Sequence, residues 1–143
     1  MRVTIFIAFC LFCFNCGTTK NTGSESNKLN GTWIPLKQEF GGTSLPATAF
    51  ATEKLIISDS TYTFSAESVD KGVLKYDHDK MDIYSKEGVN AGKHFTAIYK
   101  FVPDSSTKGE QLAICYNLSG NGYPETFDTK GKPTLFLSVY RKE

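Results

Sequence analysis

The sequence predicts an all-β protein, an eight-stranded antiparallel up-and-down barrel. From Leu29 onward no stretch shows a long helical period. The chain falls instead into short runs rich in Tyr, Phe, Ile, Val and Thr, punctuated by Gly, Asp, Asn and Ser. These runs follow one another through short connections. That favours a meander over a sandwich, and closing the meander into a barrel removes its exposed edges.

The first predicted strand, 31–40, begins at Gly31-Thr32-Trp33 and stops at the Gly41-Gly42 break. The only helical candidate, a turn or so over 46–52, follows it. Strands at 53–57 and 61–66 come next, and Thr61-Tyr62-Thr63-Phe64-Ser65 alternates as a half-buried strand does. Strands 72–76 and 81–85 flank a polar turn around Asp77-His78-Asp79. In 94–102, Phe95, Ala97, Tyr99 and Phe101 share one face against His94, Thr96, Ile98 and Lys100. Strand 111–117 is mostly apolar, and the last strand, 134–142, puts Leu135, Leu137 and Val139 on one side. Tyr62, Phe64, Tyr99, Phe101, Ile114 and Tyr116 are the candidates to line the barrel interior.

The segment ahead of the barrel predicts an address. Met1-Arg2 is a positive start, and 3–14 is apolar apart from Thr4. At about 1.5 Å per residue this run is too short for a bilayer core of roughly 30 Å, and it reads as an export signal. It ends at Cys16, and a polar stretch follows. The arrangement resembles a bacterial lipoprotein signal, in which the cysteine is acylated and the chain is cut before it. Cys13 and Asn15 occupy the usual Leu and small-residue places, a relaxed form of the kind seen in Bacteroidetes. The expected organisation is a signal peptide at 1–15, a lipid-bearing Cys16 with a polar tether to 28, and the barrel at 29–143. Two or three acyl chains anchor stably in a bilayer. Gly17 is not the Asp that retains enteric lipoproteins at the inner membrane, so the expected location is the envelope, at the outer membrane.

Composition narrows the function classes. Sixteen basic residues face 15 acidic ones, for a formal charge of +1, and Arg2 leaves with the signal. No basic field remains for nucleic acid. Of the four cysteines, Cys115 alone stays free in the mature domain, which excludes a disulfide framework. Within its apolar strand it reads as a small buried hydrophobe, since a nucleophile needs a base and some exposure. Asp77, His78, Asp79 and Asp82 lack metal-ligand spacing, because neighbours on an extended chain point to opposite faces. No catalytic motif, phosphate loop or cofactor fingerprint is present, and 117–123 is turn chemistry.

Trp33 and Arg141 carry a resemblance. Gly31-Thr32-Trp33 on the first strand looks like the Gly-x-Trp opening of the lipocalins, and Arg141 matches the Arg that packs over that Trp. In order along the chain stand Gly42-Thr43-Ser44-Leu45-Pro46, Met81-Asp82-Ile83, Ala97-Ile98-Tyr99, Leu112-Ala113-Ile114-Cys115-Tyr116 and Tyr123-Pro124-Glu125-Thr126-Phe127. This order resembles a bacterial family of small lipocalin-like domains of unknown function, common in planctomycetes, from Leu29 to Arg141. Tyr123 stands where the family has Arg, and Asp82 precedes an Ile instead of following one. The resemblance implies a Trp33–Arg141 pair sealing one end of the barrel and a small hydrophobic ligand inside it. The alternative is a filled barrel that presents its loops to another envelope protein. A cavity of about 300 Å³ or more distinguishes the two.

Overall fold

A computed structural model describes residues 27–107 and 109–143. The expected signal peptide, Cys16 and the tether up to residue 26 lie outside the described residues. The strands are β1 (Gly31–Phe40), β2 (Thr43–Ser44), β3 (Lys54–Ser58), β4 (Thr61–Ser65), β5 (Val69–Asp77), β6 (Lys80–Glu87), β7 (His94–Pro103), β8 (Glu110–Asn117) and β9 (Leu135–Lys142). Each long strand pairs antiparallel with the next, and β9 returns to β1, so eight of them close a barrel. The two-residue β2 is a short return against the end of β1.

The predicted strands fall on the observed ones. The main difference is β5, which begins at Val69 instead of residue 72. Asp70 and Lys71 hide those pairings from a hydrophobicity pattern, because Asp70 is a polar residue buried on the inward face. The helical candidate over 46–52 shrinks to a 3-10 turn at Ala47–Ala49. Beyond Trp33 opposite Leu55, β1 has no further register partner in β3 and continues along β9, with an irregularity between Pro35 and Lys37.

One end of the barrel is packed shut. Residues 27–29 are helical and seat Leu29, fully buried, under the barrel. Trp33 Nε1 donates to the Leu29 carbonyl at 2.7 Å, which satisfies the indole N–H in an apolar setting. Phe101 lies 6.2 Å from the Trp33 ring, and Tyr99 packs edge-on against both Phe101 and Tyr76. Lys28, the last residue of the expected tether, belongs to this end: its Nζ meets Glu110 at 2.7 Å and lies 4.2 Å from the Phe101 ring centre.

The expected Trp33–Arg141 stack is corrected by the register. Lys142 stands opposite Trp33, and its Nζ lies 5.2 Å from the indole. Arg141 stands opposite Ile34 and Gln111, one position out of phase, and is exposed. Since side chains alternate along a strand, one position moves a residue to the other face of the wall.

A second cluster packs on the outside of the wall. The connection from β8 to β9 folds back as a strap over β7, β8 and β9, placing Tyr123 and Phe127 on Ile98, Cys115, Leu135 and Leu137. Leu135 and Leu137 therefore share a face as the alternation predicts, and that face is the outer one. The strap is tied by Thr96 Oγ1 donating to the Gly122 carbonyl at 2.6 Å, and by Asn117 Nδ2 donating to the carbonyls of Asn121 and Gly122 at 3.1 and 3.0 Å. Cys115 is fully buried beneath it, and burial pushes its thiol up to about 11. A thiol reagent should label the native protein far more slowly than the denatured chain, since the thiolate is both scarce and covered. Equal rates in the two states would show the strap to be open.

Candidate functional site: the barrel cavity

The end opposite Leu29 is open. A cavity of about 410 Å³ runs into the barrel from the connections after β6 and β8, touching Asn90 and Lys93 on one side and Leu118 on the other. Its deeper walls include Leu55, Ile57, Leu74, Met81 and Ile83, while Phe64, Phe95 and Phe136 bring aromatic rings to it. Small inward residues make the room. Gly72 on β5 and Ala97 on β7 present almost nothing to the interior. A Cβ on Gly72 would meet Tyr62 Cε1 at 2.8 Å, so the Tyr62 ring lies against the wall of β5.

Four of the six predicted lining residues, Tyr62, Phe64, Ile114 and Tyr116, border the cavity. Tyr99 and Phe101 face inward but belong to the packed end, where Tyr99 donates its hydroxyl to the His78 carbonyl at 2.6 Å. Tyr140 completes the site and is absent from the sequence prediction. The three leucine and valine residues of β9 draw attention to the other face of that strand. The signal that could have found Tyr140 is the alternation Phe136, Ser138, Tyr140, once β9 is known to turn its leucines outward.

A few polar groups converge inside this apolar wall. The hydroxyls of Tyr116 and Tyr140 meet at 3.0 Å. Burial, the largest influence on each, pushes both phenols above their ordinary range. Ser85 and Ser138 are buried on inward faces, their hydroxyls close to the phenols of Tyr62 and Tyr140, each acting to lower its phenol without a well-formed hydrogen bond among the described residues. The buried amide of Gln38 donates to the Glu53 carboxylate. Burial raises the Glu53 carboxyl even against that bond. At the mouth, Asp70 accepts from the backbone N–H of Asn90 at 3.1 Å and from its side-chain amide, and Lys93 Nζ donates to Asn90 Oδ1 at 2.9 Å. Gly88 lets the chain pass this latch: its φ is +100°, and a Cβ there would lie 2.3 Å from the Asp70 carboxylate.

The acidic residues singled out in the sequence do not gather. His78 sits in the β5–β6 turn with Nδ1 on Asp77 at 2.8 Å. Asp82 is on the outer wall, holding His94 Nε2 and the Tyr123 hydroxyl at 2.7 Å each. Burial works against the Asp82 charge, but these two hydrogen bonds outweigh it and lower the carboxyl. This node ties the strap to β6 and β7. Among the described residues, no three His, Cys, Asp or Glu side chains come together as metal ligands could. No helix among the described residues is long and apolar enough to cross a membrane. Compared with family models, with curated proteins and with solved structures, the chain matches none.

Proposed function

We propose that this protein is a membrane-tethered, lipocalin-like lipoprotein of the bacterial cell envelope whose barrel holds one small hydrophobic or amphiphilic molecule. The cavity carries this reading. Its volume of about 410 Å³ lies within the usual range for small-molecule sites, roughly 300–1,000 Å³, and such sites are mostly apolar with a few convergent polar groups. A barrel serving only to present its loops gains stability by filling its interior, because an unfilled apolar void costs stability. The cavity therefore favours ligand binding over the filled-barrel alternative.

Nile red, a neutral solvatochromic dye, tests the cavity directly. It should brighten and shift to the blue with the purified protein. Ile114→Trp should weaken its binding at least tenfold while leaving the far-ultraviolet circular dichroism unchanged, since the larger ring fills the site. Absence of any dye response in the wild type would favour the filled-barrel alternative.

The anchor rests on the apolar run that ends at Cys16 and on the polar stretch after it. Cys16→Ser should leave an unprocessed precursor that incorporates no labelled fatty acid. A variant that matures and partitions with membranes as the wild type does would remove the lipid assignment.

A further inference from the structure

Within the ligand-binding reading, on which this inference rests, we propose that the cavity takes a neutral, hydroxyl-bearing amphiphile, held by its hydroxyl at the Tyr116–Tyr140 pair, in preference to the carboxylate of the same chain. The two phenols share one hydrogen bond at 3.0 Å. Whichever oxygen donates, one phenolic hydrogen remains for another acceptor. Ser138, on the same inward face of β9 as Tyr140, is fully buried with its hydroxyl close to the Tyr140 phenol but in no well-formed hydrogen bond, and Ser85 on β6 stands likewise to Tyr62. Unspent hydroxyls beside Leu, Ile and Met side chains are costly unless something polar meets them. An alcohol offers one donor and two acceptor sites, so it can accept from the phenol and donate to a neighbouring oxygen.

A carboxylate suits the same place poorly. The charged groups that face it are Glu53, whose charge is felt by both phenols, and Asp70, which lines the cavity. Among the described residues, the one cation on the cavity wall is Lys93, at the mouth and already donating to Asn90. An anion entering past Asp70 and lowered to the phenols would lose its water beside Glu53 and find no countercharge among the described residues there. Held at Lys93 with its tail inward, the anion would instead press methylene groups against the phenolic hydroxyls of Tyr116 and Tyr140.

Displacement of Nile red by decanol and by decanoate, each below its aggregation concentration at about pH 8, separates the cases, because there the carboxylate is ionised. Decanol should displace the dye at a concentration at least tenfold lower. Glu53→Gln should narrow the gap by strengthening decanoate. Tyr116→Phe combined with Tyr140→Phe should narrow it by weakening decanol about tenfold, the scale of a lost hydrogen bond. Equal or better displacement by decanoate overturns the preference and leaves the ligand-binding reading standing. A folded double variant that keeps the wild-type margin removes the phenol assignment. A dye that never binds, together with no calorimetric signal from either amphiphile, overturns this inference and the binding reading together.

Discussion

Trp33→Ala is expected to lower the stability of the folded domain by about 3–5 kcal/mol, the usual cost of truncating a buried indole. Trp33 is 2% exposed, touches Phe101, and closes its N–H on the Leu29 carbonyl. Removing the ring therefore opens a hole and also releases the residue that plugs the shut end. A domain stable by only about 5–15 kcal/mol would lose much of its margin. Trp33→Phe should lose less, since a ring remains and only the hydrogen bond and part of the volume go. Lys142→Ala should cost about 0.5–1 kcal/mol, as an exposed cation over a ring does. Arg141→Ala should stay within about 0.5 kcal/mol of wild type, as surface substitutions do. Because Trp33 is the only tryptophan, chemical denaturation followed by its fluorescence reports Trp33, and a denaturation midpoint for Arg141→Ala below that of Lys142→Ala would refute the register argument.

Gly72→Ala should be nearly as severe for the opposite reason. Its Cβ would lie 2.1 Å from the Tyr84 carbonyl oxygen, 3.0 Å from Ser85 Cα and 2.8 Å from the Tyr62 ring. Two of these neighbours are the backbone of β6, so relief requires β5 and β6 to part or Tyr62 to swing into the cavity. Overpacking of this kind costs about 1–3 kcal/mol and occasionally more, and we expect the upper end here. Nile red binding should fall along with stability, because either escape disturbs the cavity wall. Thermal melting and dye binding both unchanged would mean that Tyr62 does not lie against β5.

Much of the barrel was legible in the sequence because strands announce themselves locally. The alternation in β4 and β7 identifies which residues share a face without reference to any partner. Gly41 and Gly42 mark the end of β1, and both adopt positive φ there, at 58° and 91°. The start of β5 was less legible, because Asp70 is buried through its bonds to Asn90, which lies twenty residues away. The cavity could be anticipated only as a choice between filled and open. Whether inward tyrosines crowd the centre or lie against the wall depends on small residues opposite them, and Gly72 decides that for Tyr62.

By itself the sequence determined the all-β class, the position of nearly every strand, the meander order and the burial of Trp33 and Cys115. All of these follow from short-range rules, namely a period of two residues, turn chemistry and apolar content. Only the tertiary structure decided which side of β9 faces inward, which cation lies over Trp33, and which hydroxyls meet inside the barrel. Alternation gives two faces but not their sense. Leu135 and Leu137 could face outward only because the strap brings Tyr123 and Phe127 to cover them. The register that closes β9 on β1 was equally out of local reach, since it joins Trp33 to Lys142 from opposite ends of the barrel sequence, and a shift of one residue there exchanges the inner face for the outer.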